Sequence, residues 1–346
     1  MNSLNFVVLG DTSIVNDLGK KGTSSDISIY DRKTNDQIIS YCFSNTYPEK
    51  LQSLLQSIAM SDYAILNISQ LDSFLGEQII ALDIFNIRKG FILYSYEIDV
   101  EKIKNIIKNT NLSNYQILGS VEELKSCILK LQSESDQNGN EEQGQENKEN
   151  KISNDISSNS GTTTLSLNTK ESSEDFVYIP IDHVFDVKGV GTVILGCIRQ
   201  GEIKIYDELE LSPLNKLIVI KSIQMHDDPV PHSKKPSRVG LAIKGVSAKE
   251  ISRGDFISSP GISKTIDSNF QIKFYKNPYF KGDIIETQNY MISVGLQNRT
   301  VKIKKNEKSD LLITLEKPIS YIKNDLCIVF SPDAKSMRII GYGKMD

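Results

Sequence analysis

The sequence is poor in the residues that bind metals and form disulfides. It has four cysteines and three histidines among 346 residues, and no two cysteines form a CxxC pair. A structural zinc site needs closely spaced Cys and His ligands, and a disulfide framework needs a short chain dense in cysteine. We therefore predict no metal site, and free thiols in a protein of the reducing cytoplasm.

The sequence also lacks a long apolar run. No stretch approaches the roughly 18 apolar residues of a membrane-spanning helix. The start, MNSLNFVVLG, has no basic segment of the kind that opens a signal peptide, and it predicts a first β-strand instead. With 39% hydrophobic and 24% charged residues, the composition predicts a soluble globular protein of two or three domains. We expect a cytoplasmic monomer without membrane contact.

The charges are unevenly distributed along the chain. Residues 1–130 carry 12 basic and 15 acidic side chains, residues 131–175 carry 3 and 10, and residues 176–346 carry 25 and 19. The net charges are therefore −3, −7 and +6. A basic half beside an acidic tether suits contact with a polyanion such as RNA. Ordinary variation in surface charge explains the same numbers, so charge alone leaves both interpretations open.

Composition divides the chain into three regions. In residues 1–130, apolar runs such as FVVLG and YAILNI alternate with segments of helical periodicity such as KLQSLLQSIAM, which predicts βαβ units and a parallel sheet. Residues 131–174 are rich in Ser, Asn, Gln and Glu with few large apolar side chains, and they predict a disordered acidic linker. Beyond it, short alternating runs with glycine turns, such as GTVILGCI and DLLITL, predict two β-barrels.

An ordered string of motifs opens the barrel region. In order come an aromatic strand, Gly189-x-Gly191-Thr192-Val193, Gly196, Gly201, Asp207 and finally Arg253-Gly254-Asp255. The glycines fall where a small barrel needs bulges and tight turns. Over about 80 residues the string resembles the second domain of translational GTPases of the elongation factor Tu and selenocysteine-specific types.

The rest of the chain resembles the same family more loosely. Residues 270–346, whose last apolar run is MRIIGYG (337–343), resemble its third domain, and residues 1–130 resemble its GTPase domain in outline. The resemblance implies an α/β domain with a P-loop-GTPase-like parallel sheet (1–130) and a linker (131–174). Two β-barrel domains of the elongation factor Tu type would follow at 175–262 and 263–346.

The first region departs from the family at the phosphate-binding loop. In G-x-x-x-x-G-K-[ST], backbone N–H groups wrap the phosphates, the lysine reaches the β and γ oxygens and the hydroxyl holds Mg²⁺. Counted from Gly10, the Gly-Lys pair should fall at positions 15 and 16, where this chain has Val15 and Asn16. The nearby GKKGT (residues 19–23) has Ile14 where the first glycine belongs. We predict a solvated turn there.

The second nucleotide motif is also altered. The family's D-x-P-G-H aligns with Ser44-Asn45-Thr46-Tyr47-Pro48. The resemblance implies that Ser44 replaces the metal-side aspartate and that Tyr47 replaces the glycine whose N–H meets the γ-phosphate. Pro48 would replace the histidine that positions water. We expect such a site to be unable to hydrolyse GTP.

The guanine-reading motif N-K-x-D is reduced to its last residue. Tyr96 and Glu97 stand where Asn and Lys belong, and only Asp99 is retained. Loss of the phosphate, metal and base motifs together predicts no GTP binding, no catalytic residues and no cofactor. The chain is therefore predicted not to be an enzyme.

Basic residues supply the candidate RNA contacts. Lys234, Lys235 and Lys304 belong to basic runs that either meet phosphates or protect a strand edge. Arg253 matches an Arg-Gly turn that in the family lies near the acceptor end of bound tRNA, and its planar donor fork suits phosphate. The alternative for Arg253 is a structural arginine that bonds loop carbonyls.

Three hypotheses for function remain. The first is a translation elongation factor-like protein that binds tRNA or the ribosome through its barrels without hydrolysing GTP. The second is a GTP-dependent elongation factor with divergent motifs, and the third is an adaptor that binds only proteins on the same fold. A measurement of nucleotide binding distinguishes the first hypothesis from the second. Measurements of tRNA and ribosome binding distinguish the third hypothesis from the first.

Overall fold

The computed structural model describes residues 2–35, 37–141, 176–305 and 310–346, and side chains for all of these except Asn2 and residues 132–141. It divides into two compact units. The larger comprises Met1–Val121 with Phe176–Asp346, and the smaller is Glu122–Asp175. Within the larger unit we call residues 2–121 the first domain, 176–262 barrel 1 and 263–346 barrel 2.

The first domain is a seven-stranded sheet with helices in its connections. Its elements are β1 (Asn2–Gly10), α1 (Val15–Leu18), β2 (Lys20–Ser24), β3 (Ile27–Lys33), β4 (Gln37–Ser44), α2 (Leu51–Ala59), β5 (Tyr63–Ile68), α3 (Ser73–Ile84), β6 (Gly90–Tyr94), α4 (Val100–Ile107) and β7 (Gln116–Leu118). The strand order is β2-β3-β4-β1-β5-β6-β7. From β4 to β7 all neighbours are parallel, which confirms the predicted sheet. The strands β2 and β3 add an antiparallel edge that was not predicted.

The smaller unit is described only through its helix. Helix α5 (Val121–Glu141) runs past residue 131, so the predicted start of the linker falls inside a helix and is corrected. The apolar and charged helix formers of VEELKSCILKLQ start the helix, and adding residues to an existing helix costs less than starting one. The rest of the predicted linker, 142–174, lies outside the described residues. No helix within the described ranges is long and apolar enough to span a bilayer.

Barrel 1 is a closed antiparallel barrel. Its strands are β8 (Tyr178–Val187), β9 (Gly191–Cys197), β10 (Glu202–Lys204), β11 (Glu208–Ser212), β12 (Lys216–Met225), β13 (Asp228–Val230), β14 (His232–Lys234), β15 (Arg238–Lys244) and β16 (Phe256–Ser258). The sheet order β11-β16-β8-β9-β15-β12-β13 closes because β11 also pairs with β12. Alternate residues such as Ile194, Ile220 and Leu241 fill the interior.

Barrel 2 has the order β18-β22-β21-β20-β24-β25-β19, with a separate β17–β23 pair. Its strands are β17 (Ser263–Ile266), β18 (Asn269–Ile272), β19 (Tyr275–Lys276), β20 (Tyr290–Val294), β21 (Gln297–Lys305), β22 (Leu311–Leu315), β23 (Ile319–Ile322), β24 (Leu326–Phe330) and β25 (Ile339–Lys344). Only Lys273 and Phe274 separate β18 from β19, so the two edges of this sheet are adjacent in the chain. The two predicted barrels are confirmed.

Strand β24 belongs to two cores at once. Cys327 and Val329 lie in the core of barrel 2, whereas Ile328 and Phe330 lie in the core of the first domain. Side chains alternate between the faces of a strand, so a strand that is apolar throughout is buried on both faces. The first domain and barrel 2 therefore share a continuous apolar interface.

Candidate nucleotide site and candidate RNA contacts

The turn after β1, at which the resemblance would place the phosphate-binding loop, is hydrogen-bonded to the end of β5. The N–H of Asp11 donates to the carbonyl oxygen of Asn67 at 2.9 Å, and Asn67 Nδ2 donates back to the Asp11 carbonyl oxygen at 2.9 Å. Gly10 has φ of +77°, and a Cβ there would come within 2.0 Å of the Asn67 carbonyl oxygen. The close contact with β5 is therefore a sufficient reason for a glycine at position 10, and no bound phosphate is needed to explain it.

Groups of the protein itself occupy the N–H donors of this turn. Asp11 Oδ1 accepts from Ser13 N–H at 3.0 Å, and so a carboxylate stands where a phosphate loop would hold its anion. Val15 is 1% exposed and packs in the interior. Asn16 is exposed, and its Nδ2 donates to the Ser13 carbonyl oxygen at 3.0 Å. Helix α1 is only four residues long, so its terminal dipole is small.

The GKKGT segment is a strand, not the turn we predicted. Lys20 and Lys21 belong to β2, opposite Asp31 and Tyr30 of β3. Pairing with β3 extends the chain here, and the segment remains exposed because β2 is the edge of the sheet. Both lysines line a cavity of about 300 Å³ at the contact with barrel 1.

Ser44 satisfies the N–H groups of the second motif. Its Oγ accepts from Tyr47 N–H at 2.9 Å and from Thr46 N–H at 3.2 Å, and it lies 2.6 Å from Ser53 Oγ. Tyr47 occupies the place of the family's phosphate-contacting glycine, so the aligned N–H is already engaged. Among the described residues, no group of three or more His, Cys, Asp or Glu side chains could hold a metal ion.

Tyr47 and Pro48 are bound by barrel 2. The Tyr47 hydroxyl shares its single hydrogen between the Phe74 carbonyl oxygen at 2.9 Å and Glu77 Oε2 at 3.2 Å. Arg338 lies over the Tyr47 ring, 5.4 Å from its centroid, and its Nη1 donates to the Pro48 carbonyl oxygen at 2.6 Å. Burial and the nearby carboxylate of Glu77 raise the pKa of Tyr47 well above its ordinary value, which keeps the phenol neutral.

Glu77 and Arg338 form a buried ion pair. Arg338 Nε lies 3.1 Å from both carboxylate oxygens of Glu77, and the Arg338 backbone N–H donates to Oε1 at 2.9 Å. The two residues are 1% and 7% exposed. Burial would lower the pKa of Arg338, but the pairing with Glu77 outweighs it and raises that pKa.

Our sequence analysis did not find the Glu77–Arg338 pair. A signal was present, because Glu77 lies within the mostly apolar helix SFLGEQIIALDI. A charged residue buried in such a helix nearly always has a partner. Nothing in the sequence identified that partner as Arg338.

The guanine-motif positions are on the surface. Tyr96 is 92% exposed, and Glu97 is exposed as well. The retained Asp99 caps helix α4, where its Oδ1 accepts from Glu101 N–H at 3.0 Å. Aspartate is among the residues preferred at this position of a helix, so capping alone is a sufficient reason for Asp99.

Arg253 connects barrel 1 to the turn between β2 and β3. Its Nε donates to the Asp182 carbonyl oxygen at 3.0 Å and its Nη2 to Ser25 Oγ at 2.9 Å. Its Nη1 forms an ion pair with Asp26. Partial burial would raise the pKa of Asp26, but the contact with Arg253 outweighs it and lowers that pKa. This geometry matches the structural alternative considered for Arg253.

The other candidate RNA contacts are exposed lysines. Lys234 ends β14 opposite Glu202, and Lys235 Nζ lies 3.4 Å from Gln200 Oε1. Lys304 lies on the exposed side of β21 in barrel 2. Arg253, Lys234 and Lys235 thus belong to barrel 1, and Lys304 belongs to barrel 2.

Comparison with known sequences gives a relative that aligns with nearly the whole chain. No protein-family model matches. The chain is 32% identical over 330 residues to a Methanocaldococcus jannaschii protein described as uncharacterized, an alignment that covers 95% of this chain and 94% of that one. It is 28% identical over 293 residues to the selenocysteine-specific elongation factor of the same organism, covering 78% of this chain and 59% of that factor.

Solved structures share the fold. Translation elongation factor SelB from Methanococcus maripaludis, in complex with the GTP analogue GPPNHP, matches 99% of this chain and 78% of its own, with a TM-score of 0.75 and 21% identity. The bacterial selenocysteine-specific elongation factor EF-Sec matches 99% of this chain and 58% of its own, with a TM-score of 0.73 and 18% identity. In sequence and in fold, the chain is therefore related to the selenocysteine-specific elongation factors and to elongation factor 1-alpha, and it belongs to a translational GTPase-like family.

Proposed function

We propose that the protein is a translation elongation factor-like binding protein that engages tRNA or the ribosome and neither binds nor hydrolyses GTP. The observation that carries the proposal is the hydrogen bonding of Tyr47. Its N–H, aligned with the γ-phosphate contact of the family, donates to Ser44, and its hydroxyl donates toward Glu77. A nucleotide would have to break these bonds before it gained its own.

The phosphate side supports the same proposal. Asp11 places a negative charge against the turn after β1, where an incoming phosphate would be repelled. Neither Val15 nor Asn16 supplies a cation for the β and γ oxygens. Binding would therefore lack both the charge and the free N–H donors that phosphate recognition uses.

The Ser44–Pro48 segment needs no nucleotide to hold it in place. In switching GTPases, the γ-phosphate and Mg²⁺ order such segments and release them after hydrolysis. In this protein, Arg338 of barrel 2 binds the Pro48 carbonyl oxygen and the Tyr47 ring. A fixed arrangement of domains fits a binding protein better than it fits a switch.

The relatives fit a role separate from that of the selenocysteine-specific factor. M. jannaschii has both that factor and the protein that aligns with this chain from end to end. The barrels carry a net charge of +6, which suits a polyanionic partner such as tRNA or ribosomal RNA.

Isothermal titration calorimetry with GTP and with GPPNHP tests the nucleotide part. We expect no dissociation constant at or below about 1 μM, which corresponds to roughly −8 kcal/mol. M. maripaludis SelB, whose crystal structure holds GPPNHP, is the positive control. Micromolar binding by this chain would restore the GTP-dependent hypothesis.

Filter binding with bulk tRNA and co-sedimentation with ribosomes test the RNA part. We expect binding at low salt that weakens steeply toward physiological salt, because phosphate contacts release counterions. If neither tRNA nor ribosomes bind at low salt, the adaptor hypothesis replaces this one.

A further inference from the structure

A group of aromatic and basic side chains lies at β19, the edge of the barrel 2 sheet, and at its neighbour β25, where Tyr342 is half-buried. It comprises Lys273, Tyr275, Lys276, Tyr279 and Tyr342, which we call the aromatic–basic patch. Tyr275 is 46% and Tyr279 57% exposed. Large exposed aromatic groups beside positive charge usually mark a binding surface.

The rings of the patch are arranged for stacking. Tyr275 on β19 pairs with Tyr342 on β25, with ring centroids 5.4 Å apart and planes 26° from parallel. Lys273 Nζ lies 5.7 Å from the centroid of the Tyr275 ring. A preformed stack of this kind could extend by one further flat ring, such as a nucleobase, at little cost in side-chain ordering.

The loop that presents the patch is anchored from beneath. Asn277 is 3% exposed, its N–H donates to the Ile340 carbonyl oxygen and its Nδ2 to the Ile339 carbonyl oxygen, each at 2.8 Å. Its Oδ1 accepts from Tyr279 N–H at 3.0 Å. Asn277 therefore fixes the exposed segment on either side of it to strand β25.

The charge of this segment selects an anionic partner. Residues 269–282 contain the three lysines Lys273, Lys276 and Lys281 and no acidic residue, and the flanking Asp283 is paired with Lys305 of β21. Lys276 reaches over the Phe280 ring, with Nζ 5.8 Å from its centroid, and donates to the Gly282 carbonyl oxygen at 3.2 Å. Lysine is depleted in the interfaces of proteins with proteins, whereas lysine between aromatic rings is typical of surfaces that bind single-stranded nucleic acid.

We propose that the aromatic–basic patch binds an unpaired stretch of RNA, with a base stacked on Tyr275 and phosphates near Lys273 and Lys276. The inference deepens the RNA-binding part of the proposed function and rests on it. It uses none of the residues that argue against GTP binding. An unpaired strand fits the patch because a base must leave its duplex to offer a flat face to the ring.

Fluorescence anisotropy of the full chain with a labelled oligouridylate of about ten nucleotides tests the proposal at low salt. We expect Tyr275→Ala to weaken binding at least about five-fold, the scale of one lost stacked base, and Tyr275→Phe to bind like the wild type. Tyr206→Ala, which removes an exposed tyrosine of barrel 1, is the matched control and should change nothing. Unchanged affinity of Tyr275→Ala, or equal losses in the Ala and Phe variants, would overturn the stacking site.

A second variant keeps the test decisive if Tyr275→Ala folds poorly. Lys273→Gln should lower the slope of log affinity against log salt by about 0.7, the value for one phosphate contact with a single strand. An RNA duplex of the same length should bind equally to the wild type and to Tyr275→Ala.

Binding of tRNA without binding of the oligouridylate would reject the patch and leave the proposed function intact. Loss of tRNA and ribosome binding would reject the function itself.

Discussion

The first domain contacts its two barrels through different chemistry. Toward barrel 2 it shares an apolar core that includes Leu296, Ile328, Phe330 and Ile339 of the barrel. Toward barrel 1, Ile38 is the one described first-domain residue in the apolar cluster, and the other named contacts are polar. They include three ion pairs, Lys33–Asp228, Arg199–Asp62 and Arg253–Asp26.

This difference in chemistry predicts which of the two domain contacts is more resistant to salt. Burial of apolar area is insensitive to salt, whereas partly exposed ion pairs are screened by it and contribute little. The polar groups between the first domain and barrel 2 are buried, as in the bond from Gln56 Nε2 to the Leu296 carbonyl oxygen at 2.6 Å. We expect that contact to persist under conditions that weaken the contact with barrel 1.

The largest expected effect comes from Arg338→Ala, which leaves Glu77 buried without its partner. Removing one member of a buried ion pair typically costs about 3–5 kcal/mol. We expect a loss of this size in the free energy of unfolding measured in urea. A loss below about 1 kcal/mol would mean that the interface opens to water in solution.

A double variant is the matched control for this prediction. Replacing both members by apolar residues, Glu77→Leu with Arg338→Met, removes the buried charges together. Such replacements are often neutral or stabilising, so most of the lost stability should return. If the double variant is as unstable as Arg338→Ala alone, the unpaired charge of Glu77 is not the reason for the loss.

The parts of the fold that depend on local pattern were predictable from sequence. Strands β1, β5 and β6 and helices α2 and α4 follow the predicted alternation because each carries its periodicity within one segment, whereas α3 is apolar over most of its length. Strands β10 and β14 have three residues each, too few for alternation to be a signal. Strand β24, LCIVF, is apolar on both faces, which indicates burial on both sides but not what covers the second side.

Part of the candidate nucleotide site was likewise predictable from the sequence, and part was not. The absence of Gly-Lys at Val15 and Asn16 is visible in the sequence because the family motif has a fixed spacing. The replacement contacts are not visible, because Glu77 and Arg338 are 261 positions apart and meet only in the folded chain. The turn predicted for GKKGT became a strand for a similar reason, since pairing with β3 overrides local preference.

A smaller effect is expected at Asp325, beside a cavity of about 160 Å³ that first-domain and barrel residues line together. Burial raises the pKa of Asp325 to about 6, although its Oδ2 accepts from Ile322 N–H at 2.8 Å. The folded pKa lies above the unfolded one, so the favourable contribution is complete below about pH 4 and is lost as pH rises through about 6.

Asp325→Asn mimics the protonated carboxyl at every pH. We expect it to be more stable than the wild type at pH 8, by on the order of 1–3 kcal/mol, and equal to it near pH 4. Thermal unfolding between these pH values measures the difference, with the exposed Asp333→Asn as control. A difference that stays constant with pH would show that the charge of Asp325 is not the cause.

The smallest effect is expected at the polar contact with barrel 1. Arg253→Ala removes a partly exposed ion pair with Asp26, so the free energy of unfolding should fall by less than about 1 kcal/mol at low salt. The loss should shrink further near 1 M salt, where charges are screened within about 3 Å. Asp26→Asn is the matched variant, because it removes the negative charge of the same ion pair.

If Arg253 only connects the domains, both variants should lower stability slightly and leave tRNA affinity at its wild-type value. If Arg253→Ala weakens tRNA binding while Asp26→Asn does not, Arg253 leaves Asp26 to bind RNA. The first domain then separates from barrel 1 at this polar contact when RNA binds.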